Sequence, residues 1–438
     1  MQNLIIIIGQ IKRQLLLLLN VLIGLFVVNA QTGVWSGDLE VQGMKLPLVV
    51  HLDDENPTID SPAQGAKGIP IKVSRFEPDG LAIKIPSLGA NFSGKYENGK
   101  ISGTFSQRGV NLPLVLTQGE TVLNRPQTPK PPFPYSEEEV SFANGDAVLK
   151  GTLTLPDGWN KKTPVLIMIT GSGLQNRDEE VFGHKPFAFI ADALARNGIA
   201  TLRYDDRGFG ESTGDAVNCT TEDLKDDALA GIEFLRRRFK KVGVLGHSEG
   251  GTIALMLGAD KKVDFIVSLA GMVVSGKETL LDQNQYALTH AGYSQQITDE
   301  YCELISMVFD NDESFPQKLE TSKLPADLKR NLRAVVEQMK APYMQYFVKS
   351  DMRDKLGKII CPVLALNGKK DIQVSYKSNL DALTKGLPAN SKNKIQAMDD
   401  LNHPLQHCKT DAITEYATIE ETVSPEVLDI ISQWVKAL

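Results

Sequence analysis

Between residues 165 and 366 short apolar runs alternate with helix-forming stretches, and that alternation is what most restricts the fold. The runs are 165–169, 199–204, 242–245, 263–269 and 363–366. Residues 186–196 read as a helix closed by Asn197-Gly198. Thr220-Thr-Glu-Asp223 has capping-box spacing and opens another, to about Arg238. Strands this apolar are buried on both faces, and strands alternating with helices pair in parallel. The expectation is an α/β protein with a mostly parallel, doubly covered sheet.

The chain has 438 residues, too many for one ordinary core. Residues 31–122 are rich in Gly, Pro and β-formers, with alternation in 81–85 and 101–105. Glu97-Asn98-Gly99-Lys100 is a hairpin signal, because Asn-Gly supplies the positive φ angles of a tight turn. Gly43-Met-Lys-Leu-Pro-Leu-Val-Val50 is echoed by Gly109-Val-Asn-Leu-Pro-Leu-Val-Leu116. A small all-β domain is expected at 31–122. Five prolines within 124–135 then favour an extended spacer, read here as a linker over 123–135. The α/β domain is expected at 136–438, starting with paired strands over 140–155. Residues 276–355 break the strand–helix rhythm and read as a helical cap insertion over the strand ends.

The N-terminus reads as an address. Lys12 and Arg13 precede an apolar stretch over 14–28, and Val28-Asn29-Ala30 offers a cleavage site. A signal peptide over 1–30 is expected, with an exported periplasmic or extracellular protein and no stable membrane span after cleavage. An uncleaved anchor is the alternative, although the apolar run is short for one. The formal charge of −7 becomes −9 without those 30 residues, which argues against nucleic acid or an anionic membrane as partner. The four cysteines, 219, 302, 361 and 408, show no metal-ligand spacing and read as small apolar residues.

Gly246-His247-Ser248-Glu249-Gly250 follows the strand 242–245 and precedes a helix over 252–259. A G-x-S-x-G pattern in that setting makes a sharp turn that lifts the Ser248 hydroxyl above the sheet. A Ser hydroxyl needs a base, and chain order in such folds runs Ser, acid, His. Of the six histidines that leaves His403 and His407, with His403 preferred in a loop after the strand 394–397. Asp371, in the loop after 363–366, is the preferred acid, with Asp399 and Asp400 as rivals. The Glu249 backbone N–H would face an oxyanion, and Ser172 or Gly173, in the Gly-rich loop after 165–169, would give the second N–H. Asp205-Asp206-Arg207-Gly208 reads as a turn locked by an Asp–Arg pair rather than as a metal site. No metal and no organic cofactor is expected.

These residues, with 169–179, 203–212 and 366–374, resemble exported bacterial α/β-hydrolases. They are close to the EstD-type carboxylesterases and more distantly similar to the prolyl-oligopeptidase group. The resemblance covers about 140–438, and Asn402-His403 matches the family's Asn-His before the last helix. It implies the α/β-hydrolase fold, a Ser248–Asp371–His403 triad and hydrolysis of a small-molecule ester through an acyl-enzyme. It also puts His184 beside the oxyanion loop, either lining the substrate pocket or capping a helix. Two other readings stay open: a serine peptidase with the same triad, and a glycan-binding module carrying an inactive hydrolase.

Overall fold

The computed structural model describes residues 32–438, apart from 42–43, 53–54, 63–65, 77–79, 108 and 120–122. The expected signal segment 1–30 lies outside the described residues. The chain divides into two units, Met1–Leu123 and Asn124–Leu438.

The first unit is one antiparallel sheet. Its strands are β1 (Val34–Val41), β2 (Met44–His51), β3 (Thr58–Ser61), β4 (Ala66–Pro70), β5 (Lys72–Phe76), β6 (Gly80–Ile85), β7 (Ala90–Glu97), β8 (Lys100–Gln107) and β9 (Val110–Gln118). The order is β4-β3-β2-β1-β9-β8-β7-β6-β5. The Asn98-Gly99 signal is realised: Glu97 faces Lys100, and both turn residues have positive φ, 52° and 77°. The two echoing octapeptides form β2 and β9, the strands that flank β1. Alternate residues, among them Trp35, Leu81, Ile83, Ile101 and Leu116, make the buried core.

The second unit opens with the hairpin β10 (Ser136–Asn144) and β11 (Ala147–Leu155), then β12 (Val165–Ile169), α1 (Pro186–Arg196) and β13 (Ala200–Tyr204). After α2 (Thr221–Arg236) come β14 (Val242–His247), α3 (Glu249–Ala259) and β15 (Ile266–Leu269). Helices α4 (Gly276–His290), α5 (Gln295–Phe309), α6 (Phe315–Thr321), α7 (Ala326–Gln338) and α8 (Pro342–Phe347) follow. The chain ends with β16 (Val363–Gly368), α9 (Tyr376–Gly386), β17 (Lys394–Met398) and α10 (Pro425–Lys436). The sheet order is β10-β11-β13-β12-β14-β15-β16-β17, and every pairing from β13 onward is parallel.

Why β12 reads as one apolar run is visible in its neighbours. Val165, Ile167 and Ile169 pack with α2 and α3, while Leu166 and Met168 pack with α1 and α10. Both faces are dry, so neither tolerates a polar alternate position. The Thr220 capping box forms as its spacing predicts, with the Asp223 carboxylate accepting the Thr220 N–H. All four cysteines are free thiols. Among the described residues no helix is long and apolar enough to cross a membrane.

Two expectations change. The Pro-rich segment over 123–135, read as a linker, is docked onto the second unit. Arg125 donates to the carbonyls of Phe182, Ala417 and Ile419, and the Tyr135 hydroxyl donates to Asp192 at 2.8 Å. Proline content reports stiffness, and the partners that hold this segment are as far as 296 residues away. The lock on 205–208 also differs. Arg207 reaches out to Asp227 on α2 at 2.7 Å, and Asp205 is taken by Arg177 at 2.8 Å. Asp227 is fully buried and also accepts from Asn144 at 2.8 Å. Removing it would leave a buried guanidinium uncompensated, so Asp227→Ala should lower unfolding stability by about 3–5 kcal/mol. Urea denaturation of the full chain measures this, and a change below about 1 kcal/mol would refute it.

Candidate active site

The turn between β14 and α3 has no room for side chains at its two glycines. A Cβ on Gly246 would lie 1.9 Å from the Gly250 carbonyl oxygen, and one on Gly250 would lie 2.1 Å from that of Ile169. Between them Ser248 sits at φ 54°, ψ −120°, a backbone conformation that L-residues avoid. Its N–H is held by the Leu269 carbonyl at 2.9 Å. Glu249 is the first residue of α3, so its own N–H has no intrahelical acceptor.

His403 and Asp371 come together from separate loops. His403 Nδ1 and Asp371 Oδ2 are 2.8 Å apart, and the Asp371 side chain is fully buried. Asp371 is held in turn by the N–H groups of Gln373 and Val374, at 2.8 and 2.9 Å, and by Asn367. The rivals are elsewhere. His407 pairs with Glu421 at the surface, and Asp399 and Asp400, 80% and 69% exposed, pair with Lys369 and Lys370.

Two buried carboxylates fix the Gly-rich loop after β12. Asp206 accepts from the Thr170 hydroxyl and the Gln175 N–H, both at 2.8 Å, and burial raises its pKa to about 7 against those bonds. Glu179 accepts the Gly171 N–H at 2.7 Å. A Cβ on Gly171 would press on the Ser248 Cβ at 3.2 Å, so any larger residue would push against the serine. Of the two residues expected to face the cavity, Ser172 lines it and Gly173 does not.

Glu249 holds more together than its backbone position suggests. Its carboxylate is buried and accepts from the Thr221 hydroxyl at 2.6 Å and from Tyr343 on α8. Burial pushes this carboxyl above its ordinary range, opposed by those hydrogen bonds. One side chain thus ties α2, α3 and α8.

Ser248 and His403 line one cavity of about 500 Å³. Its walls are largely apolar, with Phe187, Ile190, Met272, Phe347 and Leu405 among them, and α4 and α8 supply part of the lining. Among the described residues no Lys or Arg lines it, and no group of His, Cys, Asp and Glu could hold a metal ion. His184, expected at the pocket or at a helix cap, is in neither place. It is buried outside the lining against Thr422, Nδ1 to Oγ1 2.8 Å, and burial lowers its pKa to about 4, with the nearby Arg125 charge adding. The helix behind it starts at a proline and has no side-chain cap.

Three site residues escaped the sequence reading. His247 was set aside because a base cannot precede the serine in chain order. Glu179 lay unremarked within a recognised stretch. Tyr343 lies in the insertion, where no pattern marks it. The position of His247 beside Ser248 was the one available signal.

The family profile described as serine aminopeptidase, S33, matches residues 185–407, half of the chain. The chain is 26% identical over 349 residues to Esterase EstD of Thermotoga maritima, covering 79% of each. Among solved structures, proline iminopeptidase from Mycobacterium smegmatis aligns at 16% identity and a TM-score of 0.45, over 68% of this chain and 98% of that one. The Pyrococcus furiosus esterase Pf2001 aligns at 16% identity and a TM-score of 0.43, over 73% and 98%.

Tyr343→Phe would leave the buried Glu249 carboxylate short of one donor. The expected cost is about 1–3 kcal/mol, read as a lower thermal unfolding midpoint. An unchanged midpoint would show that Thr221 suffices.

Proposed function

The chain belongs to the serine aminopeptidase (S33) family of α/β-hydrolases, and from that premise we propose a serine carboxylesterase working through an acyl-enzyme. The observation that carries the reading is the 2.8 Å Asp371–His403 hydrogen bond at the wall of the cavity that Ser248 also lines. Asp371 accepts from His403 Nδ1 and leaves Nε2 free to take the Ser248 proton. Ser248 Oγ then attacks the ester carbonyl. The tetrahedral oxyanion is met by the N–H of Glu249 at the start of α3 and by that of Ser172, the one of the two loop candidates that lines the cavity. His403 returns its proton to the leaving alcohol, and water activated by the same base releases the acid. The steps call for no metal or organic cofactor.

The charges in the cavity favour an ester over an aminopeptidase substrate. A free α-ammonium group needs an uncommitted carboxylate. The lining carboxylates Glu179 and Glu249 are both committed, to His247 with Gly171 and to Thr221 with Tyr343. Helices α4 and α8 act as a cap, with Leu280, Gln283, Met344 and Phe347 shaping the acyl and alcohol subsites. Export with cleavage after Ala30 remains a proposal from the sequence of 12–30.

Ser248→Ala should abolish both p-nitrophenyl acetate turnover and fluorophosphonate labelling. Asp371→Asn should lower kcat by about 10⁴-fold. Acyl esters should be turned over well ahead of aminoacyl-anilides. Full activity in Ser248→Ala would sink the mechanism, and a preference for anilides would favour the peptidase.

A further inference from the structure

Beneath the catalytic groups lies a second His–carboxylate pair that the mechanism does not use. Glu179 Oε1 is 3.0 Å from His247 Nδ1 and 2.7 Å from the Gly171 nitrogen. His247 Nε2 is 3.1 Å from the main-chain oxygen of His403. The rings of His247 and His403 are 4.7 Å apart. The Glu179 side chain is 6% exposed and that of His247 15%.

The hydrogen bonds settle the protonation state. A carbonyl oxygen only accepts, so His247 Nε2 carries a proton. Glu179 Oε1 already accepts the Gly171 N–H, so Nδ1 is the donor in the other contact. With both nitrogens donating, His247 is an imidazolium facing an ionised Glu179. Burial works against this charge. The Glu179 carboxylate, the His403 carbonyl and the more distant Asp371 overcome it and raise the pKa to about 9.

We propose that Glu179 and His247 are positioning residues, which lock the oxyanion loop and the loop of the general base into register with each other. The proposal rests on the esterase reading of Ser248, Asp371 and His403. One end of the clasp grips the loop at Gly171, next to the donor Ser172. The other end grips the backbone of His403. Neither residue exchanges a proton with substrate. What they set is the distance between the base and the oxyanion donors, and a misplacement of about 1 Å there costs roughly 10²-fold in rate.

The groups facing His247 are Glu179 from the oxyanion loop, His403 from the base loop and Asp371 from the acid loop. Because the folded pKa is raised above the ordinary 6.5, the stability that the pair contributes is fully present below about pH 6.5 and is lost as pH rises through about 9, where the imidazolium itself discharges.

The test uses the full chain, its Glu179→Gln and His247→Gln variants, and p-nitrophenyl butyrate. Both variants should lose tenfold or more in kcat, with KM within about threefold, because register rather than ground-state binding is disturbed. Wild-type kcat should fall as pH passes about 9, and the variants should lack that limb. A merely structural role would move neither the split nor the limb. If the variants fail to fold, ¹⁵N spectra of wild-type histidines decide: one imidazolium should persist at pH 8, and its absence overturns the proposal. Wild-type turnover with Glu179→Gln inside twofold of it also overturns the proposal alone. No ester turnover in the wild type overturns the esterase reading and the proposal with it.

Discussion

Three stretches of main chain meet at the C-terminal edge of the parallel sheet with no space for a Cβ between them. The end of β14, the first turn of α3 and the end of β12 approach to about 2 Å of where side chains would begin at Gly246 and Gly250. That squeeze keeps Ser248 at positive φ, a conformation that costs on the order of 1–3 kcal/mol by itself. The eight-stranded sheet supplies the rigidity that maintains it. Its strands are apolar on both faces, so the turn cannot relax without disturbing cores on both sides. The position of the hydroxyl is therefore a property of the whole second unit.

The groups around Ser248 are held by carboxylates that face inward. Asp371 holds the His403 ring, Glu179 and Asp206 hold the Gly-rich loop, and Glu249 holds the first turn of α3 against α2 and α8. Each of the four receives at least two hydrogen bonds, which offset part of the cost of burying them. The cavity itself stays largely apolar. A developing oxyanion there meets backbone dipoles in a poorly screened setting, where such dipoles count most.

The features legible in the sequence were those governed by short-range rules. Apolar runs of 4–7 residues located β12, β14 and β16, and Thr220-x-x-Asp223 located the start of α2. Asn98-Gly99 located a hairpin, and Gly246-x-Ser248-x-Gly250 located the tight turn. His403 and Asp371 were chosen from chain order and loop position, and the structure brings them into contact. What stayed hidden depends on partners far apart in the chain. His247 and Glu179 are 68 residues apart, Tyr343 and Glu249 are 94 apart, and Arg125 and Ile419 are 294 apart. No local pattern encodes such pairs. His184 misled for the same reason: its neighbour in sequence is a helix start, but its neighbour in space is Thr422.

Tyr343 belongs to α8, which lines the cavity, yet its hydroxyl also anchors Glu249 beside Ser248. The lining helix and the Ser248 turn are consequently one mechanical part at this point. Exchanging the lining helices, as one would to broaden the range of accepted acids, would disturb the turnover of every substrate alike unless Tyr343 kept its hold on Glu249. Freedom to diversify lies instead at Leu280, which lines the cavity from α4 and stands apart from that anchor, whereas Gln283 is tied to the Gln373 carbonyl in the loop of Asp371.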